Sequence, residues 1–143
     1  MRALLDVNVM IALLDDHHVH HHATSAWLSR HAAGGWASCP ITQNGCVRIL
    51  SQASYANRAP AEVVASRLAE ACEQPAHEFW PDDISVVKPG QLDWQRLVTA
   101  RHLTDAYLLA LAVRHSGRFV TLDRNIPLAA VPGAKPRHLA VID

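Results

Sequence analysis

The segment from Leu103 to Arg124, LTDAYLLALAVRHSGRFVTLDR, constrains the fold more than any other part of the chain. From Ala106 to Val113 it is apolar on nearly every side, which is typical of a helix that is buried all round. Gly117 then provides a left-handed stop, and Phe119 to Leu122 predicts a short buried strand that ends at Asp123. A buried helix followed closely by a buried strand is half of a parallel β/α unit, so we expect an α/β fold.

The same segment carries a carboxylate at each end. Asp105 falls in the first turn of the predicted helix, directly after Thr104, whose hydroxyl suits a helix cap. Asp123 directly follows the predicted strand. Taken singly, either residue admits a structural role, because an acid stabilises a helix start and also opens a turn.

The N-terminal strand ends in a similar way. Residues 3–5, Ala-Leu-Leu, form a short apolar run that stops at Asp6, and Asn8 precedes the apolar residues of a first helix. A strand that ends at an acid therefore occurs twice, at Asp6 and at Asp123.

A second strand is predicted over residues 36–39, and a helical run follows it from Thr42 and Gln43. This pair repeats the order of Thr104 and Asp105, with an amide in place of the carboxylate.

These polar residues are expected to meet at one edge of the sheet. In an open parallel sheet each following helix starts at the carboxyl edge, where such folds bind ligands. The side chains expected there are Asp6, Gln43, Asp105 and Asp123. Carboxylates gathered there repel by about 4 kcal/mol per pair at roughly 4 Å and an effective dielectric of about 20, so they need a counter-charge. A hard divalent cation such as Mg²⁺ fits, because it prefers oxygen ligands and keeps several waters.

Four motifs taken together resemble the PIN-domain ribonucleases, in particular the VapC-like toxins of prokaryotic toxin–antitoxin pairs. They are LLDVN, ITQNGCVR, LTDAYLLALA and FVTLDRN, and FWPDDI and the His-rich opening of the second helix also look like that subgroup. The resemblance spans the whole chain. It implies one PIN-like domain over residues 1–143, with a three-layer α/β/α fold and a central, mostly parallel sheet of about five short strands.

The resemblance also implies an activity, that of an endoribonuclease dependent on Mg²⁺ or Mn²⁺. The acids that it implies as catalytic residues and metal ligands are Asp6, Asp105 and Asp123. The polar residues that it implies as their support are Asn8, Thr104 and Thr121. Where family members commonly have Glu at the fourth catalytic position, this chain has Gln43, whose neutral amide would hold a second metal poorly or not at all.

Two other classes of function stay open. One is a PIN-fold binding module that has lost catalysis and acts by binding RNA or protein. Gln43 favours it, as does the formal net charge of zero, with 13 basic and 13 acidic residues. The other is phosphotransfer through an aspartyl phosphate, but haloacid-dehalogenase-like enzymes place a second Asp where Asn8 stands, and receiver domains combine an acidic pair with a late Lys, a combination that this chain lacks.

Arginine is the cation available for RNA. The chain has eleven Arg against two Lys, and Arg suits bidentate contact with phosphate. Arg48, Arg58 and Arg124 lie close in sequence to the expected site, so they are candidate phosphate contacts, the alternative being ordinary surface arginines.

The compartment and partners follow from weaker signals. No apolar run approaches the roughly 20 residues needed to span a bilayer, and the first residues form a strand, not a signal peptide, so we expect a cytoplasmic protein away from the membrane. Cys39, Cys46 and Cys72 show no zinc spacing and are expected to be reduced. The resemblance implies a small antitoxin, whose Arg would be attracted to the acids, and a homodimer.

Two further segments carry predictions. Residues 84–87 predict a third strand, which would place Asp82 and Asp83 at the amino edge of the sheet, away from the site, although adjacent acids could replace a missing carboxylate. Six of the ten histidines lie between residues 17 and 31; His18 and His22 would share a helix face, either as a transition-metal pair or as exposed surface.

Overall fold

The computed structural model describes all 143 residues and contains one parallel sheet. Its five strands are β1 (Ala3–Leu5), β2 (Trp36–Ser38), β3 (His77–Phe79), β4 (Arg118–Thr121) and β5 (Leu139–Val141). They lie in the order β3-β2-β1-β4-β5, and every neighbouring pair is parallel. The predicted α/β class with a sheet of short parallel strands is confirmed.

Five helices connect and cover these strands. They are α1 (Val7–Leu14), α2 (His21–Arg30), α3 (Pro40–Ser51), α4 (Ala61–Cys72) and α5 (Leu103–Arg114). The longest have twelve residues. None combines the length and apolar character needed to cross a membrane.

Side chains alternate across the central strand and so build two cores. Leu4 packs with the buried face of α5, whereas Ala3 and Leu5 pack with residues of α1, α2, α3 and α4. The sheet is therefore sandwiched between α5 on one face and the other four helices on the opposite face, as the three-layer prediction requires. The helix α5 is buried continuously from Ala106 to Ala112, which explains its apolar sequence on all sides.

The turn between α5 and β4 differs from the prediction in its details. Ser116, and not Gly117, has the left-handed conformation, with φ of 56°. Gly117 is required by close packing, because a Cβ atom there would lie 2.6 Å from the Arg2 carbonyl oxygen and 2.7 Å from the Trp80 ring.

The predicted third strand is wrong. Residues 84–87 form no strand, and β3 instead lies at His77–Phe79, paired with β2. The edge strand β3 has only three residues, of which Glu78 and Phe79 are exposed, so it lacks the apolar run that marks a buried strand. Because Asp82 follows the carboxyl end of β3, its predicted place at the amino edge is also wrong.

Two 3₁₀ turns precede α5, at Trp94–Arg96 and at Ala100–His102, and the second leads directly into the helix. One prediction about the histidines also needs correction. His18 precedes α2 and so does not share a helix face with His22. All three cysteines are free.

Candidate active site

The sheet order reverses between β1 and β4. The chain passes from β1 to β2 on one side, while β4 pairs with β1 on the other side. Ligands of open parallel sheets bind outside the carboxyl ends of the strands at such a switch point. Asp6 directly follows β1 and Asp123 lies two residues beyond β4, so the fold places both acids there.

Asp6 is buried and held at both oxygens. Asp6 is only 7% exposed. Its Oδ1 caps α1 by accepting the Val7 N–H at 2.7 Å. Its Oδ2 accepts the Thr121 hydroxyl at 2.6 Å. Burial raises the pKa of Asp6 and the Asp123 charge raises it further, against the two hydrogen bonds, which lower it. The carboxylate is therefore oriented before any ligand binds.

Thr121 links the two sides of the switch point. This fully buried residue donates its hydroxyl to Asp6, and its Oγ1 accepts the Asp123 N–H at 3.1 Å. The Asp123 carboxylate in turn accepts the Asn125 N–H at 2.8 Å, which fixes the turn after β4. Thr121 therefore contacts both acids, and its supporting role in a site stays a prediction.

Asp105 lies in the first turn of α5 and completes a group of mutually repelling acids. Burial, followed by the charges of Asp6 and Asp123, raises the pKa of Asp105 to about 6, while His102 opposes the rise. No Arg, Lys or His forms an ion pair with any of these three acids. The structure thus brings together three of the four predicted residues and leaves their charge uncompensated.

An open pocket of about 580 Å³ lies at Asp6. Its polar lining comprises Asp6, Asn8, Asn44, Arg48, Asp82 and Thr104. Asp105 and Asp123 do not line it and are linked to it through Asp6, because the Asp123 charge raises the pKa of Asp6 and the Asp6 charge raises the pKa of Asp105. Thr104 is exposed and lies inside α5, so it does not cap this helix. The N-cap residue of α5 is His102, and no side chain caps the helix there.

Gln43 lies in the first turn of α3, after the carboxyl end of β2, and its side chain bonds a neighbour other than the acids. Its Nε2 donates to Ser38 Oγ at 2.9 Å and lies 3.9 Å from Cys72 Sγ. It lines a pocket between α3 and α4 that adjoins the pocket at Asp6 and shares Pro40 and Asn44 with it. The role of Gln43 at the fourth catalytic position stays a prediction.

Another face of α3 lines the pocket at Asp6, which is called the acidic pocket below because Asp6 and Asp82 line it. Its residues are Ile41, Asn44, Gly45 and Arg48. Counted from Ile41, the other three residues follow at three, four and seven positions, which is the spacing of one helix face. This spacing is the sequence signal that would have singled out Asn44 over Gln43. Gly45 allows α3 to approach α1, because a Cβ atom there would meet Val7 at 2.9 Å.

The three arginines proposed as phosphate contacts lie in different places. Only Arg48 lines the acidic pocket. Arg58 donates to the Ser51 carbonyl at 2.9 Å and lines another pocket at the C-terminal end of α1. Arg124 pairs with Asp143.

The donor set suits a hard cation. Carboxylate, amide and hydroxyl oxygens surround the pocket, and the repelling acids need positive charge. No three His, Cys, Asp or Glu side chains are close enough to hold one ion together. A cation that retains waters and uses only one or two carboxylates, as Mg²⁺ does, fits this arrangement.

The family model of the PIN domain matches residues 3–132. The chain belongs to the PIN domain family. This PIN domain protein is 50% identical to Ribonuclease VapC44 of Mycobacterium tuberculosis over 142 residues, which cover 99% of the chain and 100% of the relative. It is 40% identical to Ribonuclease VapC39 of the same organism, with 93% of the chain and 96% of the relative covered.

A solved structure supports the fold. VapBC2 from Rickettsia felis, bound to a DNA fragment from its promoter, matches with a TM-score of 0.68 and 15% identity, and each chain is covered completely. At this identity the match supports the PIN fold alone. The expected resemblance to VapC-like PIN proteins is confirmed by the family model and the relatives.

Proposed function

We propose that this protein is a metal-dependent endoribonuclease, the toxin of a VapC-type toxin–antitoxin pair, that hydrolyses RNA phosphodiester bonds at the acidic pocket. The observation that carries the proposal is the group of Asp6, Asp105 and Asp123 at the switch point, with raised pKa values at Asp6 and Asp105 and no cationic side chain to pair with them. Relatives that match nearly the whole chain are named ribonucleases, which supports the same reaction.

In this proposal Asp6 and Asp123 would be the principal ligands of the cation, which would be Mg²⁺ or Mn²⁺ and would keep several waters, and Asp105 would be a further ligand or the base that positions a water. When bound, the cation supplies Lewis-acid stabilisation of the phosphate and lowers the pKa of the attacking water. Asp6 is preset by the Val7 N–H and the Thr121 hydroxyl, so little reorganisation is needed there.

Proton transfer falls to Asp105 in this scheme. In the metal-free protein the pKa of Asp105 is about 6, near the pH at which a cytoplasmic enzyme works, and a base with such a pKa accepts a proton efficiently. Arg48 lines the pocket from α3, which supports a role in contacting a phosphate of the RNA.

The competing proposal, a binding module without catalysis, drew its main support from Gln43. Gln43 bonds Ser38 and lines the adjoining pocket, so the group of Asp6, Asp105 and Asp123 is present whichever residue stands at position 43. The nuclease is therefore the better-supported function.

The direct test is cleavage of a panel of structured and single-stranded RNAs in Mg²⁺, Mn²⁺ or EDTA. Native protein is compared with Asp6→Asn, which keeps the size of the side chain and removes its charge. We expect cleavage that needs the metal and is lost in Asp6→Asn. Cleavage that persists in EDTA or in the variant would exclude the proposed chemistry.

A protein partner follows from the same proposal. We expect a small antitoxin that covers the acidic pocket, with an Arg attracted to the uncompensated carboxylates. We also expect a homodimer. Native mass spectrometry of the protein, alone and mixed with the product of a neighbouring gene, would measure both assemblies. A protein that stays monomeric and binds none of the neighbouring gene products would contradict both expectations.

A further inference from the structure

We propose that a second, basic pocket binds a phosphate group of the RNA at a distance from the bond that is cleaved. This basic pocket has a volume of about 510 Å³ and lies at the C-terminal end of α1. Its polar lining comprises Asp16, His17, Asn57, Arg58 and Arg67. The inference rests on the proposed function and deepens it, because it assigns a second contact with the same substrate.

The basic pocket carries more positive than negative charge. Arg58 and Arg67 form no ion pair with any carboxylate. Asp16 is the single acid of the lining, and it is exposed. Two guanidinium groups against one carboxylate leave a positive charge, and a guanidinium group binds phosphate oxygens in a bidentate manner. A phosphate group is therefore the ligand that this lining favours.

The side chain of Arg58 is oriented by α3. Its Nε donates to the carbonyl oxygen of Ser51, the last residue of α3, at 2.9 Å. This bond uses the Nε donor and leaves the donors of the two terminal nitrogens for a ligand. The guanidinium group is thus held in one place before a phosphate binds, which lowers the entropy cost of binding.

A buried acid fixes the two loops that form the pocket. Asp15, the C-cap residue of α1, is 6% exposed. Its Oδ1 accepts the Asn57 amide at 2.7 Å and the His17 N–H at 3.1 Å, and its Oδ2 accepts the Tyr55 hydroxyl. Asn57 belongs to the loop after α3 and His17 to the loop after α1. Because both loops are bound to the same buried carboxylate, the pocket is formed before any ligand binds.

The basic pocket and the acidic pocket lie at the two ends of one face of α1. Val7 lines the acidic pocket and Leu14 lines the basic pocket. They are seven positions apart, so they share a helix face and are separated by about 10 Å along the helix axis. The helix α3 also joins the pockets, because Arg48 lines the acidic pocket and Ser51, three residues later, holds Arg58. A few nucleotides of single-stranded RNA span such a distance, so one strand reaches both pockets.

The test compares Arg67→Gln with Arg137→Gln. Both arginines are exposed and form no ion pair, and Arg137 lines neither pocket. Binding of a fluorescently labelled oligouridylate is followed by anisotropy in EDTA at several salt concentrations.

We expect Arg67→Gln to bind the oligouridylate about 5-fold more weakly or worse, because a hydrogen bond to a charged group is lost. The slope of log affinity against log salt should decrease by about 0.7, the contribution of one phosphate contact in a single strand. Arg137→Gln should bind within about 2-fold of the native protein with an unchanged slope, because salt screens a distant charge. A loss of packing alone would not change the slope.

A second measurement locates the phosphate on the RNA. In an RNA that the native protein cuts, the cleaved bond fixes the register, and single phosphodiesters are replaced in turn by uncharged methylphosphonates. A replacement a few nucleotides from the cleaved bond should raise KM of the native protein and leave KM of Arg67→Gln unchanged, because the variant lacks the partner of that phosphate. Equal KM changes in both proteins at every position would overturn the inference.

The outcomes for the inference and for the proposed function are distinct. Native protein that cuts no RNA in Mg²⁺ or Mn²⁺ would refute the proposed function itself. Native protein that cuts RNA, with Asp6→Asn inactive and Arg67→Gln equal to native in affinity and salt slope, would leave the nuclease in place and overturn the RNA contact. If Arg67→Gln then bound inorganic phosphate more weakly by calorimetry, the pocket would be a site for free phosphate.

Discussion

Replacing Asp105 by Asn should stabilise the metal-free fold at mildly alkaline pH. The pKa of Asp105 rises from 3.8 in the unfolded reference to about 6 in the folded protein. A raised pKa means that the folded state holds the proton more tightly, so stability is complete below pH 3.8 and is lost as the pH rises through about 6. The ionised carboxylate is thus a cost that the folded protein carries near neutrality.

The magnitude follows from the size of the shift. About two pKa units at about 1.4 kcal/mol per unit correspond to roughly 3 kcal/mol. Since Asp105 is only partly buried, solvent screening reduces this to about 1.5 kcal/mol. Asp105→Asn should therefore unfold at a higher urea concentration than the native protein at about pH 8, whereas the two proteins should be equal within error at about pH 3.5.

Urea unfolding in EDTA at the two pH values measures this effect. The control is Glu70→Gln, which removes an exposed carboxylate from α4 and should change stability by less than about 0.5 kcal/mol. Equal stability of Asp105→Asn and native protein at pH 8 would refute the reasoning. So would an equal gain at both pH values, because the gain would then come from packing and not from charge. The stabilised variant should have lost RNA cleavage.

Three other outcomes are expected. Gln43→Glu should leave Mn²⁺ affinity, measured by calorimetry, and RNA cleavage within about 2-fold of native, because the side chain at position 43 bonds Ser38. A gain in either quantity would place residue 43 at the metal. Gly117→Ala should lose about 1–3 kcal/mol in urea unfolding, because the new Cβ would meet a backbone carbonyl that cannot move freely; an unchanged midpoint would contradict the packing. Burial raises the pKa of Asp15, but hydrogen bonds from Tyr55, Asn57 and the backbone outweigh it, so the pKa is lowered. Asp15→Asn should therefore cost stability at neutral pH and less in acid. Urea unfolding at a series of pH values would show the stabilities of variant and native protein converging as the pH falls.

Local sequence determined much of the fold. The helix α5 is apolar on all sides and β4 is an apolar run, so both were predictable as buried elements next to each other in a parallel unit. The placing of Asp6 and Asp123 after strands also followed from sequence, because an acid that ends a buried apolar run has to lie at the strand's end, where the chain leaves the core.

The short edge strand was beyond such reasoning. Three residues, mostly exposed, carry no periodic signal, and β3 exists because its backbone pairs with β2. Misplacing β3 reversed the predicted edge for Asp82. The identity of the helix face that meets the acids was equally undecided, because Gln43 and Asn44 are neighbours in sequence, yet only Asn44 lines the pocket at Asp6 as well as the pocket between α3 and α4.

The sequence by itself therefore determined the fold class, the family and three acids that end or begin buried elements. Only the tertiary structure decided that Gln43 bonds Ser38, that Asn44, Arg48 and Asp82 line the pocket, and that Thr121 links the two sides of the switch point. The physical reason is that burial patterns depend on neighbours along the chain, whereas the partner of a polar side chain depends on which distant elements pack beside it.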